Sequence, residues 1–87
     1  MYLIARITER NGVIRTDDEA RRHMGCLAAA KMEDGCVLLH CRQDNQGKSC
    51  DRYIRTSLVQ SWDKDASTGN IVVETMNSIY YLQLIKK

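Results

Sequence analysis

Over most of this chain apolar residues recur with a period of two, and only one stretch keeps a helical spacing. The clearest part runs from Arg52 to Ile85. Arg52–Trp62 reads as a strand, Asp63–Gly69 as a polar loop and Asn70–Ile85 as a tight hairpin, because Ile71, Val72, Val73, Thr75, Ile79, Tyr80 and Tyr81 are β-branched or aromatic. Asn77-Ser78 interrupts that run where a turn must fall. In Arg52–Trp62 the alternation slips: Ile54, Leu58 and Trp62 share one parity while Tyr53 and Val59 take the other, so a bulge near Thr56-Ser57 is expected.

Tyr2 to Thr8 reads as a strand with Leu3, Ala5 and Ile7 on one side and Tyr2, Ile4, Arg6 and Thr8 on the other. Asn11-Gly12 is a strong signal for a two-residue type I′ turn, so Val13–Arg15 should return antiparallel, with Ile14 on the side of Ile7 if Arg10 faces Val13. Thr16-Asp17-Asp18-Glu19 then fits a capping box with Thr16 as N-cap. Ala20, Met24, Leu27, Ala28 and Met32 follow at helical spacing, which predicts a helix over 17–33 stopped by Asp34-Gly35. Cys36–Gln43 is a further strand and Asp44–Ser49 a loop.

The sum is a β-dominated α+β fold in one domain, 1–87: an N-terminal hairpin, one helix and a four-stranded antiparallel meander curling toward a small, partly open barrel. In the last strand Tyr80, Leu82 and Leu84 line one face and Ile79, Tyr81 and Ile85 the other, broken only by Gln83. A strand apolar on both sides needs a cover on each. One helix covers one side, so self-association through Ile79, Tyr81 and Ile85, most simply as a two-fold dimer, is expected.

Composition bounds the chemistry. With 44% hydrophobic and 28% charged residues over 87 positions, the chain has the balance of an ordinary globular protein and not of a disordered one. No long apolar run suggests a leader or a membrane span, so a cytoplasmic location without membrane contact is expected. In that compartment Cys26, Cys36, Cys41 and Cys50 are thiols, the first three acting as small buried hydrophobes. His23 and Cys26 are three apart on the expected helix, but Cys36 and Cys41 point to opposite faces of their strand. No paired ligand knuckle exists, so neither a metal nor a cofactor is assigned. Cys50, flanked by Lys48, Asp51 and Arg52 in an expected loop, is the one thiol whose surroundings favour ionisation. No phosphate loop, nucleophile elbow or His-Glu-x-x-His motif is present and no catalytic residue is assigned.

Two binding roles remain, with a thiol- or metal-dependent enzyme as a third reading. The first is a small non-enzymatic binding or regulatory protein whose partner is another protein. The second is nucleic-acid binding by a basic β-surface made of Arg42, Lys48, Arg52, Tyr53 and Arg55, where cations meet phosphate and an aromatic ring can stack a base. A net charge of +2 permits that partner without pointing to it.

Thr56-Ser57-Leu58-Val59 followed by Thr75-Met76-Asn77-Ser78-Ile79-Tyr80 has the form Thr-Ser-x-Val … Thr-x-Asn-Ser-x-Tyr. In this last third the chain resembles small uncharacterised bacterial and phage-encoded proteins. The resemblance implies a β-meander and a phage or mobile-element origin, and it carries no functional residue over.

Overall fold

The computed structural model describes residues 1–85, and these form seven strands and one short helix. In chain order they are β1 (Tyr2–Glu9), α1 (Asp18–His23), β2 (Leu27–Glu33), β3 (Cys36–Gln43), β4 (Ser49–Arg55), β5 (Val59–Lys64), β6 (Ile71–Thr75) and β7 (Ser78–Leu84). The fold is β-dominated as expected, but one seven-stranded antiparallel sheet of order β4-β3-β2-β1-β7-β6-β5 replaces the four-stranded meander.

That order puts two consecutive strands, β4 and β5, at opposite edges of the sheet. Laid flat, six interstrand spacings of about 4.8 Å would separate them by roughly 29 Å. The link from Arg55 to Val59 reaches at most about 14 Å, at roughly 3.5 Å per residue. The sheet therefore curls so that its edges approach at the Thr56–Leu58 end, yet β4 and β5 form no ladder with each other and the barrel stays open. Thr56–Leu58 bridges the gap: Thr56 N–H donates to Val37 O (3.0 Å), Val59 N–H to Gly35 O (2.8 Å) and Met76 N–H to Leu58 O (2.9 Å). The slip expected at Thr56-Ser57 is thus a break that lets one stretch serve two edges.

Inward residues of the strands fill the curl, β5 adding only the half-buried Val59. Ile4, Ile7, Ala28, Val37, Leu39, Cys41, Ile54, Ile71, Val73, Tyr80 and Leu82 are buried together, with Ala20 and Cys26 from the helical segment. In β1 a bulge between Ile4 and Arg6 leaves Ala5 unmatched, so Ile4 and Ile7 both point inward. Strict alternation had put those two on opposite sides.

The helix is the main correction. It spans Asp18–His23 rather than 17–33, and its N-cap is Asp17, whose carboxylate accepts from Ala20 N–H at 3.1 Å, not Thr16. Gly25 ends the segment at φ +93, where an added Cβ would sit 2.9 Å from the Asn45 side chain. Its N–H donates to Ile4 O and Ile4 N–H donates to Cys26 O, which turns the next residues onto β1. Leu27–Glu33 then pairs with β3 along its whole length. Helix propensity favours the alanines of this stretch by only about 0.5 kcal/mol per residue, and sheet pairing with burial of Ala28 outweighs it.

The two Gly turns exchange roles. Asp34-Gly35, expected as a helix stop, has φ +53 and +78 and joins β2 to β3 as the type I′ turn. At Asn11-Gly12 only the glycine has positive φ; Gly12 N–H donates to Glu9 O and Glu9 N–H to Val13 O, a three-residue loop of type I with a bulge. The N-terminal hairpin shrinks to a single bridge, Thr8 to Ile14, which leaves Ile14 exposed rather than beside Ile7. Between β6 and β7 the turn residues are Met76-Asn77, because Thr75 Oγ1 accepts from Asn77 N–H (3.3 Å) and Ser78 N–H (3.0 Å).

Candidate functional site

Alternation along β3 and β4 sorts the five residues expected to hold nucleic acid. The register pairs Cys41 with Arg52, Leu39 with Ile54, His40 with Tyr53 and Leu38 with Arg55. Cys41, Leu39 and Ile54 are buried, so Arg52 lies with them on the inner side, where its Nη2 is 3.6 Å from Cys26 Sγ. Arg52 therefore does not belong to an outer basic surface, a correction that follows from the two-residue period itself. Tyr53 and Arg55 stay on the outer side and Arg42 is exposed. Lys48 lies exposed in the turn before β4, whose geometry Asp44 fixes by accepting from Gln46 and Lys48 N–H at 2.9 Å.

The outer side of β2, β3 and β4 also carries residues that sequence reasoning had not placed there. Tyr53 is 61% exposed, and its ring stacks on the His40 imidazole with centroids 4.3 Å apart and planes 7° from parallel. Asp51 holds His40 through Nε2, which fixes the imidazole from the side. Across β2, His40 faces only Ala29, and Leu38 faces Lys31. A groove of about 270 Å³ results, lined by Ala29, Ala30, Lys31, Leu38, His40 and Tyr53. At its ends Glu33 pairs with Lys31 at 3.1 Å and with Arg55 at 3.2 Å. Two flat rings, a small-residue floor and cations at the rim suit a planar ligand that carries negative charge.

The self-association residues are only partly apart from their own chain. Ile79 and Tyr81 lie half-buried on the outer side of β7, and the Arg6 guanidinium sits over the Tyr81 ring, 4.3 Å from its centroid. Gln83, between Tyr81 and Ile85, is exposed. The strand thus has one watered position and a cationic cover of its own, which removes the argument that both sides must be sealed.

The Thr-Ser-x-Val and Thr-x-Asn-Ser-x-Tyr stretches do converge, at a polar cleft of about 440 Å³ lined in part by Ser57, Asn77, Ser78, Tyr80, Arg15 and Asp17. Most of its polar groups are committed to one another. Thr56 Oγ1 accepts from Val37 N–H (3.0 Å), Ser57 Oγ donates to Thr75 Oγ1 (3.0 Å), and Thr75 Oγ1 donates to Ser78 O (2.9 Å). Arg15 forks onto Asp17 through Nε and Nη2, both at 2.8 Å, and gives Nη1 to Ser78 Oγ at 2.9 Å. That fork, with the Ala20 N–H bond, holds the Asp17 carboxyl at a pKa of about 2. The motif is the joint that seats the break between β4 and β5 against the β6–β7 turn, and its hydroxyls are used in doing so.

Among the described residues no three His, Cys, Asp or Glu side chains are arranged to hold a metal ion, and no helix is long and apolar enough to cross a membrane. The chain matches no protein-family model, no curated protein and no solved structure.

Proposed function

We propose that the protein is a small non-enzymatic binding module that takes single-stranded nucleic acid on the outer side of β2, β3 and β4. The stacked His40–Tyr53 pair carries this reading, because a large exposed aromatic ring held in place by a second ring and a carboxylate offers a base a rigid platform. Arg42 and Lys48 supply the phosphate contacts, joined by Lys31 and Arg55 where a phosphate displaces Glu33 from them, and Arg52 does not take part. The modest net charge of +2 fits a short site for a few nucleotides. Fluorescence anisotropy with labelled single-stranded DNA and RNA tests it. Tyr53→Ala should weaken binding by about 5- to 150-fold, the equivalent of one stacked base at roughly 1–3 kcal/mol. Affinity should fall with added salt by about 0.7 log units per log unit for each neutralised phosphate. Absence of binding at low salt, or equal binding by the Tyr53 variant, sinks the reading.

A second reading, docking of a protein that in the simplest case is another copy of the chain, is favoured by the free edge of β5. Every residue of that strand after Val59 is exposed, including Trp62 at 36%, and Val72 on its neighbour β6 is 38% exposed. An unpaired edge with an aromatic residue is a template for strand addition. Sedimentation tests it: a strict monomer at high micromolar concentration removes the second copy as the occupant.

A further inference from the structure

Three of the four thiols converge on the inner side of the β3–β4 ribbon. Cys26 and Cys41 are 0% exposed and Cys50 is half-buried against the same core. Cys50 Sγ lies 3.6 Å from Cys41 O, Arg52 Nη2 lies 3.6 Å from Cys26 Sγ, and Arg52 stands directly opposite Cys41 in the register. Arg52 forms no ion pair among the described residues; the Asp44 carboxylate feels its charge without bonding to it, and its Nε is buried without a hydrogen-bond partner. A half-buried guanidinium whose nearest bonded neighbour is a sulfur, with no carboxylate bonded to it, has its charge only partly compensated. A thiolate formed beside it would supply the missing partner. The resting thiols do not: burial raises the pKa of Cys26 and carries that of Cys41 to about 11.

We propose that Cys50, Cys41 and Arg52 form a hydroperoxide-responsive thiol site in which Cys50 reacts first and Cys41 resolves it. The Cys50 thiolate attacks one oxygen of hydrogen peroxide; an S–O bond forms, the O–O bond breaks and the leaving oxygen departs as water after taking up a proton. The product is a sulfenic acid, with sulfur oxidised and peroxide reduced. Cys41 then attacks that sulfur, the S–S bond forms, the S–O bond breaks and a second water leaves. Two thiols and one peroxide thus give one disulfide and two waters. Cys50 is the entry because it is the only one of the three open to solvent, and its Sγ reaches the Cys41 backbone, 3.6 Å from the carbonyl oxygen. Arg52 is a positioning residue that stabilises the thiolates as they form. Cys36, buried at the β2–β3 turn, stands outside the cluster.

The test is oxidation of the full chain by hydrogen peroxide, followed by thiol counting and mass spectrometry of non-reduced peptides. Wild type should lose two thiols together and yield a Cys50–Cys41 linked peptide. Cys36→Ser should behave like wild type, and Cys50→Ser should lose its thiols at least about tenfold more slowly, as buried thiols do. Arg52→Met should slow disulfide formation and not change which peptides are linked. If Cys50→Ser does not fold, timed alkylation of the native wild-type chain replaces it, with Cys50 expected to be labelled first. A Cys50 that stops at a sulfinic or sulfonic acid, a disulfide between chains only, or any other pairing overturns the proposal.

Discussion

The two sides of the β3–β4 ribbon are built from alternate residues of the same strands, and they are opposites. Inside, Leu39, Cys41 and Ile54 are buried beside an arginine that forms no ion pair among the described residues; outside, His40, Tyr53 and Asp51 form a bonded aromatic stack in solvent. Arg52 and Tyr53 are adjacent in sequence and belong to different surfaces. A run of cations and aromatics in a strand is therefore two half-runs, and only one of them can meet a ligand.

The largest test of that contrast is stability. Leu39 is 0% exposed, and Leu39→Ala should cost about 2–5 kcal/mol through lost burial and the cavity it leaves. Tyr53→Ala, one position across the ribbon but on the wet side, should cost roughly 0.5 kcal/mol and act on binding instead. Urea denaturation of the two variants measures the difference. Similar losses would mean that the outer stack is part of the core and not a platform.

Much of this could be read in the sequence, and the failures have local causes. Strand β3 was expected at the residues it occupies, because period-two apolar runs bounded by Asp, Asn and Gly have few other solutions, whereas the loops after it and after β5 are shorter than expected: Ser49 and Cys50 open β4, and Asp63 and Lys64 end β5. The false helix came from Ala28-Ala29-Ala30 and the Thr16–Glu19 cap: a good start and good helix formers, overruled at Gly25, which pairs with Ile4 from far along the chain. Reading Asp34-Gly35 as a turn instead of a stop would have recovered the site as well. Glu33 opposite Cys36 puts Lys31 opposite Leu38 and Ala29 opposite His40, which is the floor and wall of the groove. The stacking of His40 on Tyr53 needed one further fact, the register of β3 on β4. An irregularity between Cys41 and Gln43 shifts that register, and no pattern of residues announces it.

A smaller effect sharpens the inner side. Arg52→Met keeps the length of the side chain and removes a charge whose Nε is buried and unbonded, so stability should stay within about 1 kcal/mol of wild type and rise rather than fall. Thermal melts at matched pH read this out. A loss of about 3 kcal/mol or more would show that the guanidinium is anchored by groups stronger than the thiols beside it.

The smallest effect separates the two sides by pH. His23 is buried on the inward side of α1, and desolvation, with the charges of Arg52, Arg22 and Arg15 opposed by Glu19, lowers its pKa below the ordinary 6.5. Because the unfolded chain takes up this proton at higher pH than the folded one, the contribution of neutral His23 is complete above pH 6.5 and declines as pH falls below it. Asp17, held at about 2 against an ordinary 3.8, gives a second window in which stability drops as pH falls from about 4 toward about 2. Denaturation midpoints followed from pH 8 to pH 3 should therefore show an upper step that His23→Gln removes and a lower decline that it leaves in place. Arg52→Met should make the upper step end at higher pH, since removing a neighbouring cation raises the pKa of folded His23 and narrows the gap to the unfolded chain from below. That narrowing fixes the expected sign: the step becomes smaller in the Arg52 variant. A step of unchanged size would place Arg52 outside the electrostatic reach of His23 and weaken the picture of a cation held among the inner groups.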